Sequence, residues 1–415
     1  MSVFHLVLQV LVVLAVTSAC GWMVRQVAQP GVVGEIAGGL LLGPLVLGRV
    51  APMWSAILFP ADSFNSLLTV SRIGLVLFLF SIGAELDLAA IRRNARTVAA
   101  ITTGSLLLPF AIGAAIAPLL WRRFAGSSSS SFTGFVLFVG IAMSITALPV
   151  LASLLQDRKA IGRPVPAETA AMALLSAAAS DAVGWCVLAV ILVILGSSTG
   201  WGSVMLRAGL SLVFVAAMLL LVRPLLRVVL PRLPRSLAIL LPLVLAFSSS
   251  SVTEWLGLHA FFGAFLAGLC LPRGEAVHSL LGWWRPVIRV TLPVFFALTG
   301  LRMQPDILNL HGQYWLLLIV VLAITGKIGG AASAARWSGM PWGQAGLIGV
   351  LLNTRGLVEL IVLNVGYNAG VINASLFTLF VLMALITTAM TAPLLNLWPR
   401  PTLVDPAHSP LKHQP

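Results

Sequence analysis

Charge is scarce in this sequence. Only 9% of its 415 residues are Asp, Glu, Lys or Arg, against about a quarter in a soluble domain. Hydrophobic residues make up 59%, and mean hydropathy is +1.03. A chain of this length with so few charges cannot cover its apolar surface in water, so its solvent is lipid. Cysteine is also sparse. Cys20, Cys186 and Cys270 lie in apolar runs without paired spacing, which argues against a metal site and reads as packing. The six histidines, His5, His259, His278, His311, His408 and His413, are scattered and mostly at segment ends. Neither the metal constellation nor the nucleophile–base pair of a membrane-embedded enzyme is present. No cofactor is expected. No G-x-G-x-x-G occurs, so no nucleotide-binding regulatory domain is expected. The VGY run at 365–367 lacks the context of a K+-channel filter. The first eighteen residues contain no Lys or Arg, which speaks against a secretory leader.

What is present is a succession of apolar runs. About 20 apolar residues cross the hydrocarbon core as a helix. The expected fold class is an all-α polytopic membrane protein with about thirteen spans: 3–27, 32–49, 66–87, 96–120, 132–155, 167–196, 204–222, 237–257, 258–272, 284–303, 314–337, 342–367 and 373–396. The net charge of +13 lies in short loops between these runs, so it points away from nucleic acid and toward a membrane orientation. With the N-terminus outside, seventeen of the 25 Lys and Arg fall in inward segments, such as Arg92, Arg93 and Arg96 or Arg223, Arg227, Arg232 and Arg235, and five fall outward. Positive loops mark the cytoplasmic side. The C-terminus is then cytoplasmic and the membrane a bacterial inner (plasma) membrane. Ser127–Ser131 reads as an outer loop and residues 398–415 as a short Pro-rich cytoplasmic tail.

A charge at bilayer depth costs at least ~2.5 kcal/mol, so it marks function or a structural pair. Asp181 stands mid-span after Ala177-Ala178-Ala179-Ser180, where small residues let a second backbone approach. Lys327 stands mid-span among Gly326, Gly329 and Gly330. Glu359 follows Arg355 by one turn, a spacing that suits an ion pair as well as a functional cluster. Two spans carry helix breakers at depth. One is Ser144-Ile145-Thr146-Ala147-Leu148-Pro149, because proline cannot donate to a carbonyl four residues back. The other is Asn353-Thr354-Arg355-Gly356. Both are open to two readings, as kinks or as discontinuous helices whose ends face an ion site. One central charge follows the first break and another precedes the second, the order an inverted repeat produces.

At these residues the chain resembles the monovalent cation:proton antiporter-2 family, closest to the branch containing the plant cation/H+ exchangers. The likeness is carried by GEIAGGLLLGPLVLGR (34–49), LFLFSIGAELD (77–87), AMSITALPVLASLL (142–155), GLHAFFGAFLAGLCLP (257–272), LPVFFALTGLRM (292–303) and NTRGLVELIVLNVG (353–366). The resemblance implies a sodium/proton antiporter-like fold with inverted repeats and two broken, crossing helices, in a homodimer. It implies one transmembrane domain over 1–397. Core helices span about 96–196 and 314–396, scaffold and dimer helices about 3–87 and 237–303, and a linker helix about 204–222, with an elevator-like shift of core against scaffold. By residue, Asp181 matches the essential carboxylate and Lys327 the lysine before the second break. Thr146 matches the first break, and Arg355 and Glu359 match polar residues of the second. The chain departs from the pattern at Ser180, where many members have an acid, Asn or Gln.

The expected function is therefore exchange of Na+ or K+ for protons. Deprotonated Asp181, helped by Ser180, Thr146 and backbone carbonyls, holds the alkali cation, which is cargo rather than a resident metal; protonated, it crosses without it. The rivals are a sodium-coupled organic-anion symporter, with Lys327 and Arg355 pairing the substrate carboxylate, and, from other classes, a membrane-embedded enzyme or K+ channel.

Overall fold

The computed structural model describes residues 3–27, 29–86, 88–124, 131–195, 201–272 and 275–397. The serines at 127–130, the tail at 398–415, Asp87 and Arg273 lie outside the described residues. Those residues are helical throughout, without a strand. In chain order the helices are α1 (Val3–Gln26), α2 (Gly31–Leu41), α3 (Leu47–Val50), α4 (Pro52–Leu58), α5 (Phe64–Glu85), α6 (Leu88–Arg93), α7 (Ala95–Phe124), α8 (Phe132–Ser144), α9 (Leu148–Ala160) and α10 (Ala167–Leu195). They continue with α11 (Trp201–Ala217), α12 (Arg223–Val229), α13 (Arg235–Trp255), α14 (Ala260–Leu269), α15 (Glu275–Leu301), α16 (Leu310–Trp337), α17 (Trp342–Leu352), α18 (Leu357–Asn368) and α19 (Ala374–Leu397).

Among the described residues nine helical segments are long and apolar enough to span a membrane, or ten with the bent pair α17–α18. The expected count of thirteen is not reached by that measure. Helices α2 and α14 have 11 and 10 residues, too short to cross 30 Å at 1.5 Å per residue. Helix α15 has 27 residues but carries Glu275, Arg285 and Arg289. The expected span 204–222 runs on through a π turn at Met218–Val222 into α12.

Lipid-facing character shows on the outside. Leu212, Val213, Leu220 and Leu221 are each about 70% exposed, a surface that water would not tolerate in such breadth. Without a hydrophobic drive between helices, packing decides association, and small residues let backbones meet. Helices α7 and α16 cross at Gly104 and Gly330, where a Cβ on either would collide with the carbonyl of the other. That crossing sets Lys327 beside Ser105.

Two packing groups result. Helices α7–α10 interlock with α16–α19, while α1, α2, α5, α13, α14 and α15 pack among themselves. The groups touch where α2 meets α9 and α19, and where α10 meets α14. In the first group the order repeats: a long helix, an interrupted pair, a second long helix.

Candidate functional site

Both breaks expected from the sequence are present. Helix α8 ends at Ser144 and α9 starts at Leu148. Pro149 sits at the second position of α9, where its missing N–H would have had no intrahelical partner anyway. Helix α17 ends at Leu352 and α18 starts at Leu357, bent by 45°. Gly356 has φ +136, a conformation closed to residues with a Cβ. The two breaks touch, since Ala147 N–H donates to Thr354 O at 3.1 Å.

An interrupted helix leaves partial negative charge at the carbonyls of one half and partial positive charge at the N–H groups of the other. Cations meet the first of these. The Arg355 guanidinium donates to Ala142 O (3.3 Å) and to Met143 O, and the Lys327 ammonium donates to Ser144 O and to Ser105 O (3.0 Å). A carboxylate meets the second, because Leu148 N–H at the start of α9 donates to Asp181 Oδ2 at 3.3 Å. Asp181 is 2% exposed, and its Oδ1 is buried without a hydrogen-bond partner, as is Thr146 Oγ1. Two buried oxygens lacking a protein donor are a donor set suited to a small cation.

The remaining expected residues close around this point. Ser180 Oγ lies 3.3 Å from Ser105 Oγ, so the departure at 180 is accommodated by a second serine on α7. Ser144 Oγ turns back to Gly140 O and Leu106 O, which leaves its carbonyl for Lys327. Asn353 Nδ2 donates to Thr387 O at 3.1 Å, and Thr354 Oγ1 to Leu351 O at 2.9 Å. Arg355 and Glu359, both fully buried, form an ion pair at 3.3 Å. Lys327 and Asp181 form no ion pair; carbonyls rather than a carboxylate hold the ammonium. No group of three or more His, Cys, Asp or Glu suited to a resident metal is found among the described residues.

Several participants escaped the sequence reading. Ser105 closes the run Thr102-Thr103-Gly104-Ser105 on α7, uncharged and so without the signal that marked Asp181 and Lys327. Thr388 accepts from Arg355 N–H and donates to Arg355 O, and the run Thr387-Thr388 with Thr391 one turn on was the signal available.

A cavity of about 500 Å³ adjoins this site through Leu148, whose N–H binds Asp181; Asp181 itself is not among its lining residues. Its walls are α5 and α15 on one side, α9 and α10 on the other. Leu148, Pro149 and Ala178 line it, as do Glu85, Arg285 and Arg289. On another face, where α5, α14, α15 and α18 meet, the space is only about 30 Å³. There Arg302 Nη1 donates to Asn364 Oδ1 at 2.5 Å, and Asn364 Nδ2 donates to Thr299 Oγ1 at 3.1 Å.

The family model described as "Sodium/hydrogen exchanger, transmembrane" matches residues 12–397. Cation/H(+) antiporter 19 of Arabidopsis thaliana is 34% identical over 99% of this chain and 51% of its own length; the chain thus spans about half of that relative. Na(+)/H(+) antiporter NhaS4 of Synechocystis is 32% identical, covering 94% of this chain and 97% of that protein. The structure of the sodium proton antiporter MjNhaP1 from Methanocaldococcus jannaschii aligns with a TM-score of 0.66 at 17% identity, over 94% of this chain and 96% of that one; it shares the fold. With its interrupted helices and with a family match over nearly its whole length, this multi-pass membrane chain belongs to the sodium/hydrogen exchanger transmembrane family.

Proposed function

We propose that the chain exchanges a monovalent cation, Na+ or K+, for protons across the membrane, with Asp181 as the shared binding group. The observation that carries this reading is the unshared Oδ1 of a buried carboxylate whose other oxygen is held by Leu148 N–H, with the unshared Thr146 hydroxyl in the same helix break, next to a cavity of about 500 Å³ that Leu148 lines. A deprotonated carboxylate at this depth is costly unless a cation or a proton neutralises it. Competition of the two for one group couples their fluxes without a further device. Leu148 N–H holds Oδ2 and leaves Oδ1 to coordinate, with Thr146 and Ser180 nearby as neutral oxygens.

The two packing groups supply the moving parts. Helices α7–α10 and α16–α19 are the mobile core, the other long helices are the scaffold of a homodimer, and α11–α12 link them. A wide cavity on one side of the site and a tight Arg302–Asn364–Thr299 contact on the other support alternating access by an elevator shift, in which that contact must break. The positive-loop bias orients the N-terminus outside, in a bacterial inner membrane. The organic-anion reading fares worse, because the cations it needs are engaged. Lys327 is bound to two carbonyls, and Arg355 to Glu359 and two carbonyls.

The test is proton movement in proteoliposomes read by a pH-sensitive dye against each alkali cation. Wild-type protein should dissipate an imposed pH gradient on cation addition, and Asp181→Asn should be silent while eluting as a folded dimer. Wild-type exchange in that variant would end the assignment of Asp181. Transport that requires an organic solute would favour the symporter instead.

A further inference from the structure

Arg223 and Arg227, one turn apart on α12, project into a second cavity, of about 190 Å³, closed by the ends of α5 and α14 near Gly83, Leu86 and Leu269. The spacing puts both guanidinium groups on one helix face. Arg223 is half-buried and its Nε is shielded from solvent without a hydrogen-bond partner. Neither arginine side chain has an ion pair or hydrogen bond among the described residues. Among the described residues no carboxylate lines the cavity; Glu85, close in sequence, faces the larger cavity and lies 3.7 Å from Arg285.

Charge accounting narrows what the cavity would take. Two guanidinium groups bring two positive charges. The C-terminal ends of α5 and α14 face the same space, and each offsets about half a unit charge. About one positive charge remains, which a phosphodiester monoanion matches, and the planar guanidinium fork suits phosphate oxygens in particular. The adjoining surface points to a lipid as the source. Leu220, Leu221, Leu225 and Val228, on the same stretch of helix, are 50–72% exposed and offer an apolar face to acyl chains. The segment carrying the two arginines thus also turns an apolar face outward, which places the cavity beside lipid, as in basic sites between membrane helices.

We infer that this cavity, at the junction of α12 with the ends of α5 and α14, binds the phosphate of an anionic phospholipid. Bound there, the lipid ties the segment connecting the two packing groups to α5 and α14. This inference does not rest on the exchange reading.

The test uses the full-length protein in neutral detergent, with thermal midpoint and native mass spectrometry as readouts. Phosphatidylglycerol should raise the wild-type midpoint saturably and remain bound in the spectrum, and phosphatidylcholine should do neither. In Arg223→Ala/Arg227→Ala the half-saturating phosphatidylglycerol concentration should rise at least tenfold, while Arg232→Ala, outside the cavity lining, leaves it unchanged. Should the double alanine variant not fold, Arg223→Lys/Arg227→Lys keeps the charge but loses the fork, and should show a severalfold weaker response. An equal response to both lipids, or an unaltered one in the arginine variants, overturns the inference. Inorganic phosphate alone producing a saturable shift that the arginine variants abolish would assign the site to a soluble anion and overturn the lipid.

Discussion

Replacing Lys327 by alanine tests how the centre of the bundle is held. Its ammonium donates to Ser105 O on α7 and to Ser144 O at the end of α8, so one side chain joins three helices. In Lys327→Ala both carbonyls lose their donor at a fully buried position. A buried polar group left unpaired costs ~1–3 kcal/mol, and removing the four-carbon stem leaves a cavity worth about 2 kcal/mol. With two carbonyls the sum is on the order of 4–8 kcal/mol. For a chain this large, with a smaller shift per kcal/mol than a small domain, that lowers the thermal midpoint by roughly 5–10 °C. Lys327→Gln separates hydrogen bonding from charge, because its amide can still donate to a carbonyl; it should recover about half of the loss. Thermal unfolding of purified protein, paired with transport currents on a supported membrane, reads both quantities. Charge movement per cycle should differ from wild type in both variants if the ammonium takes part in the exchange. A wild-type midpoint together with unchanged charge movement in Lys327→Ala would refute the reasoning.

Further outcomes follow from neighbouring geometry. Gly356→Ala forces a Cβ onto a residue at φ +136, 3.1 Å from Val150 Cγ2; a loss of about 1–3 kcal/mol, with slowed exchange, is expected in thermal and flux assays. Arg355→Met strands a buried carboxylate and two carbonyls, so it should cost about 3–5 kcal/mol, more than Glu359→Gln. Adding Glu359→Gln to Arg355→Met should restore only part of that stability, and complete rescue would reduce Arg355 to an ion-pair partner. With Cys20, Cys186 and Cys270 replaced by serine, Ala178→Cys in the wide cavity should react with a water-soluble maleimide and Leu298→Cys beside the small one should not; the opposite pattern would contradict the one-sided opening.

The sequence carried the class of the protein because lipid is an unforgiving solvent. Long apolar runs and few charges have few readings there. Pro109 and Pro242 stay inside continuous helices, so Pro149 and Asn353-Thr354-Arg355-Gly356 marked two weak points, and packing decided that both are breaks. The Arg355–Glu359 pair was legible for a similar reason, since one helical turn separates them. Span counting was less successful. Apolar runs such as 32–49 and 258–272 are longer than the helices they contain, and nothing local says where a short helix stops.

What composition and pattern determined by themselves was an all-helical membrane protein with buried charges at 181, 327, 355 and 359 and two weak points in its helices. Tertiary structure alone decided what most of those charges do, because Lys327 and Arg355 bond backbone carbonyls more than a hundred residues away and Asp181 a backbone N–H 33 residues away, and a backbone group has no sequence signature. Only folding brought the end of α8 against Arg355 and Lys327, and the start of α9 against Asp181. The cost of leaving a helix end or a charge unpaired in lipid is the force that makes those meetings obligatory.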